Sequence, residues 1–217
     1  MSLLRRRGIA ATTRPAAAVG VQIVGSTSTF ITVGGSASAV PAGTQDGDLM
    51  AVFFAYRGSD YVPPGFTSRA YATSGSVNSA NAQGLIVTRI ADDEPESYVF
   101  EPGAAYSVVF VTFRGAVYDD ADAVGNETGT FDTPSVAGTS GGLLIPAWTG
   151  RNVDFASTAV PSGVTEEERA ADGNISGGSI LVGSEPLTAT ESTGIRTATI
   201  TSAHGRAVNM ALTVKPA

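Results

Sequence analysis

Short apolar runs separated by glycine and proline recur along the whole chain, most of them four to eight residues long. They are Val21–Val24, Thr29–Val33, Leu49–Tyr56, Leu85–Ile90, Tyr98–Phe100, Ser107–Arg114, Leu143–Thr149, Ser179–Val182, Arg196–Thr201 and Ala207–Val214. Valine, isoleucine, phenylalanine, tyrosine and threonine dominate them, and such side chains suit a pleated, half-buried surface. In Ser107–Arg114 both alternating sets are largely apolar, with Val109, Val111 and Phe113 on one side and Val108, Phe110 and Thr112 on the other. A strand of that kind is central and covered on both faces. Arg196–Thr201 alternates more cleanly, so its face of Thr197, Thr199 and Thr201 meets water. Gly34-Gly35, Pro63-Pro64-Gly65, Glu101-Pro102-Gly103, Gly141-Gly142, Pro161–Gly163 and Gly177-Gly178 supply the turns. The single helical candidate is Thr165–Ala171, with Thr165 as cap and Glu168 completing a capping box. It is too short to be stable alone and reads as a loop element. The pattern predicts an all-β fold, a jelly-roll-like β-sandwich of about 8–10 antiparallel strands.

The two halves of the chain also resemble each other. Gly47-Asp48-Leu49-Met50-Ala51-Val52-Phe53 matches Gly141-Gly142-Leu143-Leu144-Ile145-Pro146-Ala147. Downstream, Pro63-Pro64-Gly65-Phe66-Thr67 matches Pro161-Ser162-Gly163-Val164-Thr165. Each half continues with a glycine-led strand, Gly84–Ile90 or Gly178–Val182, and closes with Ser107–Arg114 or Ala207–Val214. A degenerate internal repeat of this kind is expected to build two interleaved four-stranded sheets. Neither half covers its own apolar face, so the expectation is a single sandwich domain over 18–217 behind a flexible basic N-terminal docking arm, 1–17.

Composition narrows the function classes. The 217 residues include no cysteine and one histidine, His204, which removes thiol chemistry, disulfides, Cys-ligated metals and multi-histidine sites. No run approaches the length of a membrane-spanning helix, and no membrane association is expected. Net charge is −7, unevenly placed: residues 1–45 carry four arginines and no acid, and residues 46–217 carry nine bases against twenty acids. The body would repel a phosphate backbone, so nucleic acid is not an expected partner. A short basic segment ahead of an acidic body reads as a tether for a protein groove, through Leu3, Leu4, Arg5, Arg6, Arg7 and Arg14. Gln22 interrupts the apolar stretch Ala16–Val24, which argues against a secretory signal.

Candidate chemistry is sparse. Gly138-Thr139-Ser140-Gly141-Gly142 has the letters of a nucleophile elbow, but a β run follows it where that motif needs a helix. A Ser140 hydrolase would depend on His204, which reads as a turn residue. The acidic stretch Asp119–Glu127 places Asp120, Asp122 and Gly125 at three calcium-loop positions and lacks two oxygen ligands, so a looser calcium loop stays open beside a plain solvated loop. No catalytic residue, cofactor or metal is assigned. Tyr56, Tyr61, Tyr118 and Trp148 lie at or beside strand ends, where exposed rings would stack on a glycan or anchor a partner.

Gly47–Gly58 followed by Pro63–Thr67, the later strand ending Phe113-Arg114-Gly115, and the close at Ala211–Pro216 resemble β-sandwich minor tail and other virion structural proteins of tailed bacteriophages, over roughly residues 40–217. The resemblance implies a non-enzymatic virion protein, a minor tail or capsid decoration component, located in the virion. Its implied partners are other virion proteins, in a symmetric homo-oligomer or multi-copy assembly. A carbohydrate-binding module that adheres to host cell-surface glycan is the alternative.

Overall fold

The computed structural model describes residues 20–31, 37–57, 61–75, 81–101, 106–127, 130–151, 155, 158–170, 178–199 and 205–217. Among them run β1 (Gln22–Ile31), β2 (Ala37–Ala39), β3 (Leu49–Tyr56), β4 (Thr67–Ser74), β5 (Ala82–Ile90), β6 (Ser97–Val99) and β7 (Tyr106–Arg114). The second half supplies β8 (Ala116–Asn126), β9 (Ala137–Gly138), β10 (Leu143–Arg151), β11 (Thr165–Ala170), β12 (Gly178–Pro186), β13 (Glu191–Ser192) and β14 (Ala207–Pro216).

These strands form an all-β sandwich of two five-stranded antiparallel sheets, ordered β1-β7-β3-β5-β4 and β8-β14-β10-β12-β11. The second order is the first with seven added to every number. The small pair β2-β6 recurs in the same way as β9-β13. The repeat therefore extends to individual bonds. Gly47 N–H donates to Ala91 C=O at 2.9 Å, and Gly141 N–H to Leu187 C=O at 2.8 Å. Both glycines sit at positive φ, 88° and 81°, where a side chain would be strained. Phe66 N–H to Pro63 C=O and Val164 N–H to Pro161 C=O are both 3.1 Å. β4 bulges between Ser68 and Ala70, and β11 between Glu166 and Glu168.

The two halves do not interleave. Each folds into one whole sheet, and the sheets stack face to face about a pseudo-two-fold axis. β1 lies over β11 at one lateral edge and β4 over β8 at the other. Local pairing explains the difference, since every neighbouring pair within a sheet comes from one half of the chain. Strand register also moves the glycine-led strands: Ile86 faces Phe53 and Val182 faces Ala147, so Gly84 corresponds to Ile180 and not to Gly178.

The inner core joins Leu49, Phe53, Val109 and Phe113 of the first sheet to Ile145, Val182, Met210 and Leu212 of the second. The opposite faces are buried too. Met50, Val52, Phe54 and Phe110 are roofed by Phe66, Tyr98 and Phe100, and Trp148 and Leu181 by Phe131 and Phe155. This is why β3 is buried at all eight positions and why β7 reads as apolar on both faces.

Three segments differ from the sequence reading. Thr165–Ala170 is the edge strand β11 and not a helix, because pairing to β12 holds it extended. The acidic stretch belongs to β8, paired with β14 from Ala116 to Asn126. Arg196–Thr199 joins no sheet: Thr197 and Thr199 form isolated bridges to Asp132 and Ala159.

Candidate functional site

The lateral edge where β4 meets β8 carries a cleft of about 420 Å³ lined by Gly65, Thr67, Arg69, Arg89, Ile90 and Tyr118. Its geometry follows from the bulge in β4, which leaves Arg69 outside the ladder pairing with β5. Arg69 Nε donates to Thr88 Oγ1 at 2.7 Å. Its guanidinium carbon stands 4.1 Å from the centroid of the Tyr118 ring, a cation–π contact that fixes the plane of the group. Arg89 is neutralised locally, with Nε 3.0 Å from Glu94 Oε1, and Tyr98 OH donates to the other oxygen of Glu94. Arg69 has no carboxylate in salt-bridge contact among the described residues. Burial, then the charge of Asp120, pushes the Tyr118 phenol above its ordinary value, and Arg69 opposes that shift. Tyr118 therefore stays neutral at physiological pH, with its ring face occupied by the cation.

Of the four rings proposed for contact, two are not at the surface. Trp148 is fully buried, and its indole N–H donates to the Arg196 carbonyl at 3.2 Å. Tyr56 is also core, packed with Phe54 and Tyr106 beneath the first sheet's roof. Both sit within strands whose outer face is covered, and so cannot stack on a ligand. Tyr61 is half-buried, edge-on to Phe54 with centroids 6.1 Å apart, and its hydroxyl accepts from Glu101 N–H at 3.1 Å. Of the four, Tyr118 lines the cleft at the β4–β8 edge, and Tyr56 borders a small pocket of about 10 Å³ beside Arg57 and Arg151. The arm residues Leu3, Leu4, Arg5, Arg6, Arg7 and Arg14 lie outside the described residues, as does His204.

The other candidates are occupied structurally. Ser140 Oγ donates to Thr188 C=O at 3.1 Å, and the strand β10 follows it. Asp120 accepts from the Ala121 and Ala137 N–H groups at 2.9 and 2.8 Å, and Asp122 from Ala123 N–H at 2.8 Å. Asp119 meets Lys215 Nζ at 2.9 Å and Thr139 Oγ1 at 2.7 Å. These carboxylates cap backbone donors along a strand, which is not the geometry of a calcium loop. Among the described residues no group of three His, Cys, Asp or Glu side chains is placed to hold a metal ion. A second cleft, of about 410 Å³, includes Asp46, Asp93, Glu94 and Glu96 in its lining. There Asp46 accepts from Asp93 N–H and Glu94 from Asp92 N–H, both at 2.9 Å, so these acids shape the turn between β5 and β6.

Sequence reasoning passed over Arg69 because a bulged residue obeys neither alternation nor turn grammar. The only signal was an arginine four residues after the Pro63-Pro64-Gly65 turn. Comparison of the chain with family models, curated proteins and solved structures finds no match.

Proposed function

We propose that this chain is a non-enzymatic structural protein of a bacteriophage virion, a minor tail or capsid decoration component held on the particle by its N-terminal segment. The observation that carries the reading is the charge segregation: four arginines and no acid in residues 1–45, ahead of a body of net −11. A cationic leader on an anionic body grips an acidic groove on a neighbour. The resemblance over residues 40–217 supports the same reading, and so does a sandwich whose sheets are covered on both faces. A fold with buried ladders and no cysteine resists proteolysis and redox change outside a cell. Ordering a leader costs about 1–2 kcal/mol per residue in backbone entropy, and many copies on a symmetric particle offset weak single contacts. The carbohydrate-binding alternative is weakened by the burial of Tyr56 and Trp148, two of its four rings.

The test is a truncation lacking residues 1–19. The expected outcome is a folded protein, judged by circular dichroism, that no longer incorporates into particles. Incorporation at the full-length level would overturn the docking role.

A further inference from the structure

The pseudo-two-fold axis makes the two lateral edges comparable residue by residue. Thr67 faces Thr88 across β4 and β5, and Thr165 faces Ser184 across β11 and β12. The bulged residues Arg69 and Glu167 are therefore equivalent, as are Arg89 and Glu185. The contacts repeat with polarity reversed. Arg69 donates to the Thr88 hydroxyl on one edge, and the Ser184 hydroxyl donates to Glu167 on the other. On each edge the second charge is neutralised nearby. Arg89 is met by Glu94, and Glu185 by Arg196 Nε. The neighbours of Glu167 are also engaged, Glu166 by Arg169 and Glu168 by Ser28. Arg69 and Glu167 are thus opposite charges on equivalent bulges at opposite sides of the sandwich, and neither meets a salt-bridge partner among the described residues.

We infer that copies of this chain associate head to tail, the Arg69–Tyr118 cleft of one copy receiving the Glu167 carboxylate on the far edge of the next. The cleft accommodates a carboxylate, and the Tyr118 ring holds the guanidinium so that its terminal nitrogens are presented ready to bind. Arginine and tyrosine are the side chains on which protein interfaces concentrate their energy. The same edge exposes Tyr71 on β4, Ile90 at the end of β5, and Val117 and Val124 on β8. These are four of the seven large apolar side chains exposed among the described residues. Turning two copies cleft to cleft would set Arg69 against Arg69, which their like charge opposes. Joining opposite edges gives a heterologous contact, which propagates as a row or closes as a ring. This inference goes beyond the virion reading and does not depend on the leader.

Sedimentation velocity on the purified full chain, from about 1 μM to about 1 mM, tests it across the weaker half of the affinity scale. The expected result is a mass that rises with concentration and falls back with added salt. Arg69→Glu and Glu167→Arg each weaken association about tenfold or more, because either places like charges together. An equimolar mixture of the two variants associates as the wild type does, since every contact then joins opposite charges again. A wild type that stays monomeric throughout overturns the inference. So does Glu167→Arg associating like the wild type, or a mixture of folded variants that fails to associate. The measurement uses no particles, so its outcome is separate from that of the incorporation test.

Discussion

At the scale of single residues, Trp148 lies among Phe131, Phe155 and Leu181 in the outer core of the second sheet. Trp148→Ala removes the largest buried side chain and is expected to cost about 3–5 kcal/mol, read from the urea midpoint by circular dichroism. Trp148 and Tyr56 were expected at the surface because they stand near the ends of apolar runs. In the fold β10 continues to Arg151, and each outer face is roofed by aromatics from outside its sheet, Phe66, Tyr98 and Phe100 on one and Phe131 and Phe155 on the other. Burial of that sort depends on long-range packing, which local pattern does not encode. Cations at the ends of β7 and β14 show the same limit. Arg114 is held by the buried Asp48 through contacts of 3.1 and 2.8 Å, and Lys215 by Asp119 at 2.9 Å. Asp48→Asn weakens two charge-assisted bonds and should cost about 1.5–3 kcal/mol in chemical denaturation. For Asp119, burial pushes the carboxyl up, but hydrogen bonds from Lys215 and Thr139 and the lysine's charge outweigh it and hold the group below its ordinary value of 3.8. A depressed folded value means the stabilisation is complete above that ordinary value and fades as pH falls further. Asp119→Asn should therefore destabilise the protein at neutral pH and leave it closer to the wild type in acid, as thermal melts at pH 7 and about pH 3 would read.

Among elements, the central strands were legible, the edge strand β1 was read in part as two runs, and the edge strands β4, β8 and β11 were not read. Leu49–Tyr56 has the same bounds in sequence and structure, because a strand covered on both faces leaves an unbroken apolar run. The edge strands β4, β8 and β11 are half polar and bulged, so their alternation breaks where the register shifts. Consecutive glutamates made β11 look helical, although Glu166 and Glu168 are held by Arg169 and Ser28 in an extended strand. The seams between sheets are closed by side chains instead of ladder bonds. Ser74 Oγ donates to Asn126 C=O at 2.6 Å on one side, and Ser26 Oγ to Glu167 C=O at 3.1 Å on the other. Gly125 makes the first seam fit, since a Cβ there would lie 2.1 Å from Thr73 C=O. Gly125→Val should force β8 off β4 and lower stability by about 1–3 kcal/mol or more. Faster amide exchange in β4 and β8 than in β3 would locate the damage.

Considered whole, the molecule is one sheet design used twice, and the sequence showed the repeat at its turns and in β3 and β10 while misaligning the glycine-led strands β5 and β12. Glycine and proline fix turn geometry locally, so Gly47 with Gly141 and Pro63 with Pro161 align. Strand side chains are free to vary as long as the shared core stays filled, so β5 and β12 drifted apart in sequence. Each sheet completes its own outer layer but leaves its inner face to the other. Separate chains of residues 1–114 and 115–217 should thus each lack native near-ultraviolet dichroism and regain it when mixed. Native signal from either fragment alone would show that a half is self-sufficient. The same arrangement bears on synthesis by the ribosome. The first sheet can form as soon as its last strand emerges, yet its greasy side faces the cytosol until about 100 further residues have been made. At about 5–20 residues per second that interval lasts roughly 5–20 s, long enough that nascent copies on one polysome would capture each other's halves unless a chaperone shields that surface.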